Sequence, residues 1–532
     1  MTNNKLKIKD FLILSFILLI VSLIYINTLD NPFIWDDEVI IESNQFIKDW
    51  GGMGDIFEHD IFGASLEQGS FYRPLHALSY MIDYSLWGFN TLGYHITSIF
   101  LFLLLLIVLY LLFIQLGLKK ILSFILVLGF GVHPINTEMV TFISARGDII
   151  MILFSLLSFL VFLRAIYKKN NLFFILSIFL FILAFLSKES AVVLPIIMGL
   201  YLFLFKRDKY KTFLGWFLIL VFLSFGYTAF RLIMVGSGQS IALSNIAQAS
   251  LITRLITLPR IFLTYIVKLI IPFNLHMEYL FVEKSILSLS FILGLPAIIL
   301  FFYAILRFLK FSKYSLFFTG WFFMGLLPFY QIFLPLAATL REHWVSFSAI
   351  GFLGLMALVF KKIFLKLKKE PKARLGFILL IVAIFIYWAG SSLIRNKIWE
   401  SPKGLYQNDL KYEPNSFLLH NNLGVEYFRE SNYFKAKKHF LAANRVTPGL
   451  GYAPAYNNLG VIYQREAKTD QAIYCYLQSI KINDYILAYQ NLADLYIKKN
   501  KTEKARSVLE QGLNLYPNNQ ILLKYKENIN HF

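Results

Sequence analysis

Long apolar runs fill the first three quarters of the chain, and in the last quarter they give way to a shorter alternation of apolar and polar positions. A bilayer-crossing helix needs roughly 17 to 25 predominantly apolar residues. On that unit the runs predict eleven spans: Phe11 to Asn27, Leu92 to Leu116, Ile121 to Ile135, Ile149 to Leu163, Leu172 to Leu186, Ala191 to Phe205, Thr212 to Phe230, Ile286 to Leu306, Leu316 to Leu334, Val345 to Phe360 and Leu375 to Leu393. Lys5, Lys7 and Lys9 precede the first run as in a signal peptide, but no small-x-small cleavage site follows, so it reads as a retained anchor.

The polar gaps alternate in charge. Lys119 and Lys120, Arg164 to Lys169, Lys206 to Lys211, Arg307 to Lys313 and Lys361 to Arg374 form the basic set. Short basic loops stay in the cytoplasm, so the N-terminus is expected there and everything after Arg395 on the outer side. Parity requires that Ile261 to Pro272, interrupted by Lys268 and preceded by Arg260, lies in the interface or re-enters within a long external loop from Arg231 to Lys284. Twelve spans would reverse the C-terminal side and break the basic pattern. The first external loop, 30–91, is long and acidic: Asp30, Asp36, Asp37, Glu38, Glu42, Asp49, Asp55, Glu58, Asp60, Glu67 and Asp83 stand against Lys48 and Arg73. Loops of that length beside a membrane usually carry function.

After Arg395 a period near 34 residues begins, the length of a tetratricopeptide helical hairpin. Leu423, Gly424, Tyr427, Ala436, Phe440, Ala443 and Pro448 occupy successive signature positions. Tyr456, Leu459, Gly460, Tyr463, Ala472 and Tyr476 repeat them, and Tyr489, Leu492, Ala493, Tyr496, Ala505 and Pro517 do so again. Pro414 precedes Pro448 by one period, so Ile398 to Tyr412 reads as the closing helix of an incomplete repeat, and Gln520 to Asn530 as a capping helix. The expected fold is all-α: a multi-pass domain over 1–395 and an α-solenoid of about three repeats over 396–532.

Composition narrows the class. With 57% hydrophobic and 16% charged residues, the chain is neither an ordinary water-soluble enzyme nor disordered. The net charge of +19 raises nucleic-acid binding, but the N-terminal tail and cytoplasmic loops hold 22 basic residues against Asp10, Asp208 and Glu370, which accounts for all of it. No nucleic-acid partner is expected. A single cysteine, Cys475, excludes an internal disulfide and a thiolate zinc site.

Trp35-Asp36-Asp37-Glu38 lies just beyond the first span, where apolar surroundings and mutual repulsion both raise a carboxylate's pKa. Such a carboxylate suits a general base for a hydroxyl beside the bilayer. The predicted topology places other ionisable groups on the same face: Tyr72-Arg73-Pro74-Leu75, Tyr94-His95, His133-Pro134 to Glu138, Ser144-Ala145-Arg146-Gly147-Asp148, Lys188-Glu189 and Arg341-Glu342-His343-Trp344. Ionisable groups at membrane edges are costly, and their convergence marks a site.

These motifs, with Arg395-Asn396-Lys397-Ile398-Trp399 running into the repeats, resemble the transmembrane and tetratricopeptide-repeat proteins, polyprenyl-phosphate-dependent glycosyltransferases of the GT-C fold whose eukaryotic members are protein O-mannosyltransferases. The resemblance follows the same order along almost the whole chain. It implies an inverting transfer of a sugar, such as mannose, from a polyprenyl phosphate to an acceptor hydroxyl on the outer face, with protein Ser/Thr as the acceptor and the repeats as its contact. It implies Asp36 as first choice of base and Asp37 as second. Arg146, Lys188 and Arg341 are the phosphate candidates, ahead of Arg73, Arg231 and Arg260, while Glu138, Asp148, His133, His343 and His95 line the site. No metal or other cofactor is expected to be required, the lipid-linked sugar being a substrate. The location implied is a bacterial plasma membrane, or the endoplasmic reticulum membrane in a eukaryote. The rival readings are transfer to a lipid or surface polysaccharide, and a non-catalytic scaffold whose repeats dock a partner. A transporter would carry inverted repeats and interrupted helices, and no such pairing is visible.

Overall fold

The computed structural model describes residues 8–63, 71–207, 210–235, 244–332, 336–447, 449–517 and 519–530. Glu67, Asp208, Pro448, Lys5 and Lys7 lie outside them. The chain divides between Ser401 and Pro402 into two units. Among the described residues the structure is helical, apart from an isolated antiparallel bridge between Tyr279 and Leu340.

Among the described residues of the first unit, seven helices are long and apolar enough to cross a bilayer: Ile8–Thr28, Thr91–Gln115, Ile143–Lys168, Leu214–Ile233, Leu289–Phe308, Glu342–Lys369 and Pro371–Ile398. An eighth is obtained if Lys120–Val132 and Pro134–Thr141, bent by 53°, count as one broken span. Three of the eleven expected spans are shorter helices: Asn171–Ser187, Leu194–Phe205 and Lys313–Gly325. At 1.5 Å per residue the 13 residues of Lys313–Gly325 rise only about 20 Å, less than the hydrocarbon thickness. Its apolar run continues to Leu334 in the sequence, but Pro328 sits in a short 3₁₀ turn, Leu327–Phe329, where the helix has ended. Leu251–Ile270 contains most of the segment Ile261 to Pro272 expected to lie in the interface and is not among the spanning helices.

Helix Arg146–Lys168 runs through the middle of the bundle, buried on nearly every side. Its Ser158 hydroxyl donates to the Ser177 carbonyl at 2.8 Å and the Ser177 hydroxyl donates back to the Ser158 carbonyl at 2.9 Å. Small hydroxyl residues both permit close approach and supply hydrogen bonds where water is absent. At one edge Asp10 accepts from Tyr110 at 2.9 Å and from Lys120, tying three helices together. At the other, Asn396 donates to the Ile24 carbonyl at 2.9 Å and accepts from Thr141 at 3.0 Å, so the last helix locks the end of the first.

The second unit opens with Pro402–Asp409, proline at its head, rather than with the helix expected from Ile398, because the long helix Pro371–Ile398 runs on that far. Three antiparallel pairs follow: Phe417–Arg429 with Tyr433–Val446, Ala453–Arg465 with Thr469–Asn483, and Ile486–Lys498 with Thr502–Leu515. Gln520–Asn530 then buries Leu522 and Ile529 on the last pair as the cap. Gly424 and Gly460 mark the closest helix approaches: a Cβ there would come within 2.6 Å of the Phe440 ring and 2.4 Å of the Tyr476 ring. Gly460→Ala is therefore expected to destabilise the repeat unit, by about 1–3 kcal/mol through overpacking, although alanine is the better helix former by up to about 1 kcal/mol. Thermal unfolding of the full chain checks the sign, and a raised midpoint would contradict the packing argument.

Candidate functional site

The two adjacent aspartates of the first loop are turned apart by the backbone. Trp35 adopts φ +59°, a left-handed conformation rare for a bulky residue, and a π-helical turn, Glu38–Glu42, follows. Strain of this kind and π turns both concentrate at functional sites. Asp37 points inward and is buried: it accepts from the Ile34 amide at 3.1 Å, from the Ser144 amide at 2.7 Å, and from the Ser144 hydroxyl. It thus ties the first external loop to the segment leading into helix Arg146–Lys168. Burial pushes its pKa up to about 7, against those hydrogen bonds.

Asp36 is partly exposed and, among the described residues, makes no hydrogen bond or ion pair. Removal of water around it raises its pKa, while the positive charges of Arg341, Arg73 and His343 draw it back down. A half-enclosed carboxylate facing two guanidinium groups and an imidazole is poised to take a proton while charge develops nearby.

Those three side chains are held in different ways. Arg73 forms a forked pair with Glu189, Nε donating to Oε2 at 3.1 Å and Nη2 to Oε1 at 2.8 Å, which uses one edge of the planar guanidinium. Arg341 has only a loose approach to Glu278, 3.7 Å, with its backbone carbonyl fixed by the Tyr265 hydroxyl at 3.0 Å. His343 is gripped by Glu138, which lies 3.1 Å from Nδ1 and accepts the His343 amide at 3.0 Å. Its Nε2 faces Asp148 across 3.9 Å, and both oxygens of Asp148 accept from Lys188 at 2.7 and 2.8 Å. Asp36, Arg73, Arg341, His343, Glu138, Asp148, Lys188 and Glu189 therefore form one contiguous cluster.

Four of the expected site residues sit elsewhere. Arg146 is fully buried, paired with Asp83 at 2.6 Å, donating to the Ser98 hydroxyl at 3.0 Å and the Tyr94 carbonyl at 2.7 Å, and packed over the Tyr80 ring. Its guanidinium is consumed within the bundle, so it does not face the cluster as a phosphate ligand. His133 is also saturated: Nε2 donates to the Leu269 carbonyl at 3.1 Å, Nδ1 accepts from the Ile135 amide, and the ring packs on Trp388. His95 bonds the Asn31 carbonyl at 3.1 Å. Arg260 pairs with Glu283 at 2.7 Å over the Phe281 ring.

Residues that sequence reasoning missed come from the segment before Lys284. The His276 amide and the Tyr279 hydroxyl both donate to Glu342, and Glu278 faces Arg341. A charged residue amid Leu275-His276-Met277-Glu278-Tyr279-Leu280 is the signal that could have found them. Among the described residues no three His, Cys, Asp or Glu side chains converge to hold a metal ion.

Residues 74–229, which include Glu138, Asp148, Lys188 and Glu189, four of the eight members of this cluster, match a family described as dolichyl-phosphate-mannose-protein mannosyltransferase. Residues 453–485 and 486–519 match the tetratricopeptide repeat. A protein O-mannosyl-transferase of Caenorhabditis elegans is 27% identical over 79% of the chain and 62% of its own length. Protein O-mannosyl-transferase TMTC3 of Mus musculus is 25% identical over 97% of the chain and 61% of its own length. The chain thus spans about three fifths of the length of these relatives. Its backbone also aligns with the Archaeoglobus fulgidus oligosaccharyltransferase in the apo form, at 12% identity and a TM-score of 0.44, over 90% of this chain and 72% of that one. The chain carries a membrane domain that matches the dolichyl-phosphate-mannose-protein mannosyltransferase family, followed by tetratricopeptide repeats, and is related along its length to the protein O-mannosyl-transferases.

Proposed function

We propose that the chain is a GT-C-type membrane glycosyltransferase that moves a sugar, mannose by the names of its relatives, from a polyprenyl phosphate to a Ser or Thr hydroxyl of a protein on the extracytoplasmic face. The observation that carries this reading is Asp36, a carboxylate with no hydrogen bond of its own among the described residues, faced by Arg341, Arg73 and His343.

In the proposed step the acceptor hydroxyl gives its proton to Asp36 as its oxygen attacks the anomeric carbon. The bond from that carbon to the phosphate oxygen breaks, and its electron pair leaves with the lipid phosphate, whose negative charge grows by one. Stabilising that growing charge with cations fixed in advance is the larger part of such catalysis. Arg341 is the first choice to meet the phosphate, because its 3.7 Å approach to Glu278 is easily exchanged for a phosphate oxygen. Arg73 and Lys188, committed to Glu189 and Asp148, contribute their field and hold the cluster in shape.

Basic-loop asymmetry supports a cytoplasmic N-terminus and an external face for the first loop and the repeats. Repeats tethered on the acceptor's side raise its local concentration, to the millimolar range for short tethers. The test is direct: purified full-length chain, given radiolabelled polyprenyl-phosphate mannose and a Ser/Thr-rich acceptor protein, transfers label that alkaline β-elimination releases. Label that enters only lipid or polysaccharide, or no product at all, would overturn the reading.

A further inference from the structure

Next to the cluster is a pocket whose polar floor is Asp148, Ser190 and His343 and whose mouth is Phe329 and Trp344, with Phe347 on the remaining wall. The floor residues are buried, while the two mouth rings are half-buried and stacked, 5.0 Å apart at 11°. Ser190 is 4% exposed, and its hydroxyl has no hydrogen-bond partner among the described residues. A buried hydroxyl left so costs free energy that a ligand atom would recover. Beside it, Asp148 keeps lone pairs beyond those used by Lys188, and His343 Nε2 stands 3.9 Å from Asp148, too far for a hydrogen bond and close enough for one inserted hydroxyl to touch both.

We propose that this pocket is the subsite for the pyranose ring of the transferred sugar, an inference that rests on the glycosyltransferase reading. A pyranose has an apolar C–H face, which suits the aromatic mouth, and a rim of hydroxyls, which suits a carboxylate, a hydroxyl and an imidazole together. An isoprenoid chain would bury those three polar groups against hydrocarbon, and the single hydroxyl of an acceptor serine would leave most of them unmet. The walls now stand too close to admit a water-sized sphere, so the ring enters when Trp344 parts from Phe329, and Trp344 reports the event.

The experiment titrates full-length wild type, Ser190→Val and Ser190→Ala in detergent with synthetic polyprenyl-phosphate mannose and, separately, with the same polyprenyl phosphate lacking sugar. Ser190→Val, which crowds the opened pocket and removes a donor, is expected to weaken the sugar-bearing lipid about tenfold or more, and Ser190→Ala about threefold, with the sugar-free lipid unchanged. Tryptophan fluorescence is expected to change with the sugar-bearing lipid only, and Trp344→Phe to remove that change. Equal weakening of both lipids, no weakening, or an effect confined to the acceptor's KM would overturn the subsite. Wild type that binds neither lipid would instead overturn the glycosyltransferase reading itself.

Discussion

Asp36→Asn is expected to reduce sugar transfer by a factor of about 10² to 10⁴, the usual worth of a positioned general base, while leaving the unfolding midpoint where it was. The side chain makes no hydrogen bond or ion pair among the described residues, so the isosteric amide removes the proton acceptor and the negative charge facing Arg341, Arg73 and His343 without breaking a direct contact. Asp37→Asn separates the two roles. An amide has one oxygen where the carboxylate uses two, for the Ile34 amide on one side and the Ser144 amide and hydroxyl on the other. That variant is expected to lose about 1–3 kcal/mol of stability and to lose activity only as far as the first loop shifts. Transfer rates and thermal unfolding of the two variants, compared side by side, decide the matter. An Asp36→Asn enzyme with full activity beside a stable, inactive Asp37→Asn would reverse the assignment.

Arg146→Leu is expected to be the most damaging single change to the membrane domain. It strands the Asp83 carboxylate, which then keeps only the Thr97 hydroxyl at 2.7 Å, in a place with no access to water. Removing one partner of a buried ion pair typically costs about 3–5 kcal/mol, and here the Ser98 and Tyr94 bonds are lost as well. The double variant Arg146→Leu with Asp83→Leu removes the stranded charge and is expected to recover a large part of that loss. Unfolding midpoints in detergent give the comparison. If the single variant matched wild type, Arg146 would not be the bundle's buried linchpin, and its assignment to the donor phosphate would return.

The helical class and the repeats were legible because both rest on periodicity. Leu423-Gly424, Leu459-Gly460 and Leu492-Ala493 recur at fixed spacing, and the close approach at each glycine is what the spacing encodes. Span lengths were harder, since hydropathy records apolar surroundings and not where a helix stops. The run to Leu334 continues past the turn at Pro328 with Gln331 as its one strongly polar residue. The cluster's members were legible as motifs, but not their partners. Asp36 and Asp37 are chemically alike in sequence and are told apart only by the left-handed Trp35 between the strand of chain from the first span and the π turn. Arg146 reads as a surface arginine on a loop, because nothing in the sequence says that Asp83, 63 positions earlier, will meet it inside the bundle. Glu278 escaped notice because its segment was read only as part of the long external loop from Arg231 to Lys284.

The core of the proposed mechanism is a single displacement in which Asp36 deprotonates the acceptor and no sugar is ever covalently attached to the enzyme. The measurement that tests this most directly is the anomeric configuration of the product, read by NMR after transfer from a polyprenyl-phosphate mannose of defined configuration. One displacement predicts an α-linked mannose from a β-linked donor. A β-linked product would mean two displacements through a glycosyl-enzyme intermediate, and would contradict the role given to Asp36.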